Sequence, residues 1–406
     1  MCRAPPRPSP RRALRVLYSF PHTLGKPGIS TTAFHQIQGL IEDGVTVDVV
    51  CTSLQRALPG ARRVIETMRI GGRRVPHRAL GVYRAYAYHD RRAARALDRL
   101  RSEVDLVHAW PAACLRTFAA AKQLSLPSFR EVPSAHTQTA YEDARHEAEA
   151  LGVELPPDHH HRYDARHLKR ELREFRSADF LLVPSAYVER TFIDRGHPPE
   201  QLLRHRYGYD PDAFAFSGQL EPAGVNGLTA VFVGRGEPNK GLHHALRAWI
   251  DSGASEHGRL LLCGEILPSY RAKIATLLAH PSVHELGFVA EVGSVMRESD
   301  VLVLPSVTEG SALVTYEAQA AGCALLVSEA AGAPCQHERE CLVHAPGDVD
   351  ALTEDFRRLD GDRALVVELR RRALANASHL TWAAAGTCLR EAYAEGLRRF
   401  RVGGPR

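Results

Sequence analysis

Nothing in the 406 residues forms a charge-free apolar run of about 18, the length a transmembrane helix needs, so no membrane span is expected. The amino-terminal stretch lacks the apolar core of a signal peptide. No C-x-x-C pair occurs among the eight cysteines, Cys2, Cys51, Cys114, Cys263, Cys323, Cys335, Cys341 and Cys388. They are expected to be reduced and mostly buried, and Cys335 and Cys341 are not expected to be bridged. No G-x-G-x-x-G follows the first apolar stretch at Val16, which argues against a dinucleotide-dependent oxidoreductase. Charge of one sign is scarce too: 52 Lys and Arg stand against 47 Asp and Glu, a net +5. A nucleic-acid binder would concentrate positive charge on one face or helix, and this balance does not support one.

The basic residues that stand out are at the ends. Arg3, Arg7, Arg11, Arg12 and Arg15 lie among four prolines, and residues 1–13 read as a disordered basic tail. Arg398-Arg399-Phe400-Arg401 forms a second cluster. Both read as solvated termini, with weak attraction to an anionic membrane surface as the second reading. His159-His160-His161 follows Leu155-Pro-Pro-Asp158. A metal could bind there, but the sequence offers no second ligand cluster at a suitable spacing, so a polar loop is expected.

The composition, 44% hydrophobic and 24% charged, is that of a globular protein, and the length suggests two domains. Short apolar runs alternate with helical patterns. Arg15–Phe20, Thr46–Cys51, Val104–Ala109 and Asp179–Pro184 read as strands. Ser30–Asp43, Arg91–Arg101 and Tyr187–Arg195 read as helices. Residues 139–176 read as helical with a break at Leu155-Pro-Pro. A second such series begins at Leu228, after a stretch near 211–227 rich in Pro, Gly and Ser. This βαβ rhythm implies parallel sheets covered on both faces. The last helix, Trp382 to Arg399, carries Leu389, Tyr393 and Leu397 on one apolar face.

Two segments carry chemistry. Val231-Phe-Val-Gly234-Arg235-Gly236 is a strand and a glycine turn, followed by Lys240-Gly241 and a helix, Leu242–Ile250. Arg235 is a planar fork and Lys240 a point charge, a pair suited to a diphosphate, and Gly234 permits close approach. The second segment is Glu309-Gly-Ser-Ala-Leu-Val-Thr-Tyr-Glu317, after the strand Asp300–Pro305. Residues Ala312–Ala321 read as a helix, with Glu317 about two turns in and roughly on the face of Glu309. Carboxylates accept from sugar hydroxyls, and the helix N-terminus at Ser311, Ala312 and Leu313 suits a phosphate. Taken alone, each segment also reads as a solvated loop or helix face.

Phe232-Val-Gly-Arg235, Lys240-Gly241, Leu261-Leu-Cys-Gly264, Leu286-Gly-Phe288, the run from Ser299 to Ser306, Glu309 to Gly322 and Pro346-Gly-Asp348 occur in one order. Together they resemble the retaining glycosyltransferases of family 4, which have the GT-B fold. The resemblance implies two Rossmann-like doubly wound α/β domains facing a cleft. It places an acceptor-side domain at 14–210, a linker at 211–227, a nucleotide-sugar domain at 228–380 and a crossover helix at 381–406 returning to the first domain. It implies transfer of a sugar from a nucleoside-diphosphate sugar to an acceptor hydroxyl with retention. The acceptor would be a polysaccharide, a lipid-linked sugar or a small molecule.

The resemblance also implies roles. Arg235 and Lys240 stabilise the departing diphosphate, Glu309 holds donor-sugar hydroxyls and Glu317 accepts from the ribose. Backbone near Phe288 flanks the base. Arg130-Glu-Val-Pro-Ser-Ala-His136 resembles the family's strand that ends in a histidine near the donor sugar. Gly25 and Gly28 flank Lys26 where the family has adjacent glycines beside the donor phosphates or the acceptor. Val183-Pro-Ser185 and Tyr207-Gly-Tyr-Asp210 shape an edge, with Tyr207 replacing the family's Asn. No D-x-D pair of the metal-dependent sugar transferases stands out, so no metal and no cofactor are expected. The protein is expected in the cytoplasm, with peripheral membrane contact as an extension. A phosphorylase would need a lysine placed for pyridoxal phosphate, and the epimerases lack this set of motifs. A non-catalytic relative that binds nucleotide sugar or a partner protein remains the alternative.

Overall fold

The computed structural model of the protein describes residues 13–70, 73–74, 81–218, 220 and 227–403. The basic tail expected at 1–13 thus falls, but for Ala13, outside the described residues, as do residues 219 and 221–226 of the linker expected at 211–227, which opens with a short helix, Pro211–Phe214. The chain divides into two compact units. One takes in the described residues of 1–131, 173–180 and 389–406, and the other 132–172 and 181–388.

The strands are β1 (Arg15–Leu24), β2 (Thr46–Leu54), β3 (Arg63–Glu66), β4 (Leu106–Ala109), β5 (Ser128–Glu131), β6 (Phe180–Val183), β7 (Leu202–Arg204), β8 (Thr229–Val233), β9 (Arg259–Cys263), β10 (Val283–Gly287), β11 (Val301–Leu304), β12 (Ala324–Ser328) and β13 (Cys341–His344). A short antiparallel pair, Arg69–Ile70 with Arg73–Arg74, stands apart from both sheets. The helices that matter below are α1 (Ile29–Glu42), α2 (Val82–Arg99), α3 (Thr137–Ala150), α4 (Ala165–Ser177), α5 (Ala186–Ile193), α6 (Leu242–Asp251), α7 (Leu313–Ala320) and α8 (Trp382–Gly403).

One sheet has seven strands in the order β3-β2-β1-β4-β5-β6-β7, and the other six in the order β10-β9-β8-β11-β12-β13. All five pairings in the second sheet are parallel. Parallel strands covered on both faces are apolar throughout rather than alternating. Leu302, Val303, Leu325, Leu326 and Val327 are accordingly fully buried. In each sheet the chain starts in the middle and builds first one way, then the other. The reversal falls between β1 and β4 in the first sheet and between β8 and β11 in the second. In open α/β sheets, ligands bind beyond the carboxyl ends of the strands at such a reversal.

Several boundaries move from those expected. β1 continues past Phe20 to Leu24, and its register with β2 slips between Phe20 and Thr23. Pro21 lies in that slip, where its missing N–H costs no ladder bond. The strand expected to run through Arg130 to His136 stops at Glu131. Val132 still donates its N–H to the Leu182 carbonyl (3.0 Å), but Pro133 has no N–H to continue the ladder. His136 is instead the N-cap of α3, its ring accepting from the Gln138 N–H. The break near Leu155-Pro-Pro is a loop spanning 151–164 between α3 and α4. Within the first unit, α8 buries Leu389 and Tyr393, and the Tyr393 hydroxyl lies 2.6 Å from Nδ1 of His108 on β4.

Candidate functional site

The loop after β8 turns sharply. Gly234 has φ +151° and donates its N–H to the Cys263 carbonyl (2.9 Å). Gly241, at φ +68°, links a single turn over Pro238–Lys240 to the start of α6. A side chain at Gly241 would run into the Pro305 carbonyl oxygen, which explains glycine there on two counts. Both cations of the loop have anionic partners. Arg235 Nε lies 2.8 Å from Oε1 of Glu237, with 61% of the arginine side chain exposed and 2% of the glutamate's. Lys240 forms an ion pair with Glu309, each side chain 23% exposed.

The loop after β11 supplies Glu309. This residue precedes α7 rather than lying on it, because the helix begins only at Leu313. The expected shared helical face of Glu309 and Glu317 is therefore replaced by a bent loop feeding a short helix. Neighbours clamp that loop through its backbone. Val307 donates to the Asn239 carbonyl (2.8 Å), which ties it to the Arg235–Lys240 loop. The Ala135 N–H donates to the Glu309 carbonyl (3.1 Å), and the Ser185 hydroxyl to the Gly310 carbonyl (2.6 Å). A Cβ on Gly310 would collide with the Pro133 carbonyl oxygen. Ser311 Oγ donates to the Gly332 carbonyl (2.9 Å) and lies 2.8 Å from the Tyr316 hydroxyl. The Ala312 N–H donates to the Ala331 carbonyl (3.0 Å), so that donor at the helix terminus is already engaged. Leu313 opens α7, half-buried.

Glu317 is half-buried on α7, and burial pushes its carboxyl up to about 7. No side chain among the described residues shifts it back, the condition of an acceptor that lacks an internal donor. His136 is buried and held at both ends: its N–H donates to Thr191 Oγ1 (3.0 Å) and its ring meets Phe192 and His197. Through Ala135 it stands one residue from the backbone contact to Glu309. Phe288, just beyond β10, is 80% exposed. The structure thus brings Arg235, Lys240, Glu309 and the Pro133–His136 segment together in the second unit. Gly25 and Gly28, both at positive φ, form the loop between β1 and α1 in the first unit, where Gly28 caps α1.

Three features lay beyond the reach of the sequence pattern. Glu237 in the β8 loop is buried and meets His159, whose Nε2 lies 3.3 Å from its Oε2. Glu147 on α3 receives both imidazoles of the first turn of α6, His243 Nε2 at 2.6 Å and His244 Nε2 at 3.1 Å. Each of these groups has three side chains whose ligand atoms lie close enough to surround a metal: Glu147 with His243 and His244, and Glu237 with His159 and His160. A cavity of about 670 Å³ is lined by Arg190, Arg204, Arg206 and Arg339 among others, three of them paired with Glu329, Glu189 and Glu340. The cysteines of the described residues are free thiols, Cys335 and Cys341 side by side and unbridged.

Known proteins carry the same pattern. The family described as Glycosyltransferase Family 4 matches residues 27–212, and that described as Glycosyl transferases group 1 matches residues 227–362. A D-inositol 3-phosphate glycosyltransferase of Streptomyces bingchenggensis is 25% identical over 253 residues, 53% of this chain and 54% of that protein. The MMP alpha-(1->4)-mannosyltransferase of Mycolicibacterium hassiacum is 28% identical over 282 residues, 68% of this chain and 66% of that one. The chain thus spans about half the length of the first of these relatives and about two thirds of the second. Among solved structures, sucrose-phosphate synthase from Thermosynechococcus elongatus superposes with a TM-score of 0.65 at 17% identity, covering 96% of this chain and 100% of that one. Anabaena HepE in complex with UDP and glucose superposes with a TM-score of 0.60 at 17% identity, covering 94% and 99%. These likenesses establish the fold, GT-B, and no helix among the described residues is long and apolar enough to cross a membrane. With the two family matches together taking in residues 27–212 and 227–362, well over half of it, the chain belongs to the family 4 (group 1) glycosyltransferases.

Proposed function

We propose that the protein transfers a sugar from a nucleoside-diphosphate sugar to an acceptor hydroxyl, with retention at the anomeric carbon. One observation carries the reading. Arg235, Lys240 and Glu309 converge from the loops after β8 and β11, the two strands at the reversal of the second sheet. In the reaction the bond from the anomeric carbon to the diphosphate oxygen breaks and a bond to the acceptor oxygen forms. The acceptor proton passes to the departing diphosphate. Arg235 and Lys240 offset the negative charge that grows on that diphosphate. Glu309 accepts from donor-sugar hydroxyls, Glu317 from the ribose, and Phe288 flanks the base. His136 positions the loop at Glu309 and borders the sugar. Gly25 and Gly28 leave backbone room for phosphate or acceptor. The residues supply this charge stabilisation themselves, so the transfer is proposed to need no metal and no cofactor.

Two of the relatives are named as transferases of sugars, and one solved neighbour holds UDP and glucose; both support a nucleotide-sugar donor. The acceptor is a carbohydrate, a lipid-linked sugar or a small molecule. A thermal-shift screen against UDP, GDP, ADP, CMP and dTDP tests the reading, because a ligand of the folded state raises Tm by mass action. The expected result is a rise with one base that disappears in Arg235→Ala and Glu317→Ala. No rise with any nucleotide would favour the non-catalytic alternative.

A further inference from the structure

The histidine run at His159 has no part in the scheme above, yet its first ring lies against the diphosphate loop. The His161 N–H donates to Nδ1 of His159 (3.2 Å). A backbone N–H can only donate, so Nδ1 must accept, and the proton of the neutral ring sits on Nε2. That nitrogen lies 3.3 Å from Oε2 of Glu237, both side chains only 2% exposed. The other carboxylate oxygen of Glu237 lies 2.8 Å from Nε of Arg235, and both contacts are close approaches of charge and dipole rather than aligned hydrogen bonds. The loop that presents His159 is itself held: His159 N–H donates to Pro156 (3.0 Å), Arg162 Nη1 to the Leu155 carbonyl (3.1 Å) and Ser269 Oγ to the Glu154 carbonyl (3.2 Å). His160 stacks on His159 at 4.8 Å between ring centres.

We propose that Glu237 and His159 are positioning residues for Arg235, a buried chain running from the His161 N–H through His159 and Glu237 to the inner nitrogen of the guanidinium. The inference rests on the diphosphate role proposed for Arg235. A guanidinium has three nitrogens, and a carboxylate on Nε leaves the two terminal amino groups for a forked contact with phosphate oxygens. The arginine side chain is mostly exposed and would otherwise sample many rotamers, an entropic cost that binding would have to meet. Burial pushes the Glu237 carboxyl up, but His159 and Arg235 more than offset this and hold it below the usual range, so it remains an anion. The same proton assignment leaves His159 no lone pair toward Glu237, which is why the group reads as a tether and not as a metal site.

The test is a double-mutant cycle read as nucleotide affinity. UDP, GDP and ADP are titrated calorimetrically into wild type, H159A, H159Q, E237Q, R235A and H159A/R235A, each first checked for folding by Tm. H159A and E237Q should weaken the nucleotide that binds by about fivefold to twentyfold. H159Q, whose amide NH₂ can stand where Nε2–H stood, should remain within about twofold of wild type. In the R235A background, H159A should cost less than about twofold more. Equal losses in both backgrounds would overturn the inference, showing that His159 acts on the fold or on the ligand by another route. Should R235A bind as wild type does, the role of Arg235 itself fails, and the inference with it. If H159A does not fold, the E237Q and E237Q/R235A pair decides by the same criterion.

Discussion

The loop after β1 and the loop after β8 hold the same place in their sheets, at the carboxyl end of the strand beside the reversal, but they are built in opposite ways. The first is backbone: Gly25 and Gly28 at positive φ around an exposed Lys26 whose carbonyl accepts from the Thr31 hydroxyl. The second is charge: Arg235 and Lys240, each already facing a carboxylate that another element holds in place. A loop that only has to admit a ligand needs room. A loop that has to meet growing negative charge needs cations whose positions are set before the ligand arrives, because reorganising them during reaction costs rate.

The contrast can be broken most sharply at the cations. Arg235→Ala or Lys240→Ala should lower turnover by about 10²–10³-fold, the scale of removing one preorganised charge. Lys26→Ala, by contrast, should stay within about threefold. Initial rates on the donor found by the nucleotide screen measure both, and equal losses at Lys26 and Lys240 would erase the distinction. Thermal denaturation should show the cation variants close to wild type, since a partly exposed ion pair contributes at most about 1 kcal/mol.

Substituting glycines sharpens the comparison next. Gly310→Ala meets a backbone carbonyl, that of Pro133, which cannot move without shifting its own segment. Gly25→Ala meets the Cβ of Arg56 at 3.1 Å and its backbone nitrogen at 3.3 Å, tight contacts but far short of the collision at Gly310, in addition to its positive φ. The expected losses are about 3 kcal/mol for Gly310→Ala and about 1–2 kcal/mol for Gly25→Ala, read from chemical denaturation. The reverse order would show that the β11 loop is looser than its clamps imply.

Glu317 gives the smallest and most specific effect, one with no counterpart in the β1 loop. Its carboxyl is raised by burial to about 7, above its unfolded value of 4.5. The uncharged form is therefore favoured on folding. Its contribution is full below pH 4.5 and is lost as pH rises towards about 7. Stability should fall over that window in wild type and change less in Glu317→Gln. Nucleotide affinity should run the other way, rising several-fold from pH 6 to pH 8, because hydroxyls donate to the ionised carboxylate. Calorimetry at three pH values checks both the slope and its loss in Glu317→Gln.

What the sequence conveyed follows from the range of its signals. The β8 and β11 strands and their loops are read locally, from apolar runs closed by Gly, Pro and charged residues, and both lie where expected. Arg235, Lys240 and Glu309 are visible by residue type. Their pairing is not, because Lys240 and Glu309 stand 69 positions apart. Glu237 looks like any loop acid until His159 is placed against it. The engaged N–H of Ala312 was hidden for the same reason: its acceptor, Ala331, belongs to another loop. The strand expected through His136 failed at Pro133, a local signal that was present in the sequence and was outweighed by the family resemblance of the segment.

The Lys240–Glu309 pair also sets a condition of entry. Any anion reaching Lys240 finds a carboxylate already there. A chloride ion, or a phosphate with nothing attached, offers the lysine one anion in place of another and leaves Glu309 with none. A molecule that carries charge at one end and hydroxyls at the other gives each member of the pair a new partner in a single event. On the roles proposed for Lys240 and Glu309, the internal ion pair would act as a discriminator, favouring ligands in which both halves arrive joined.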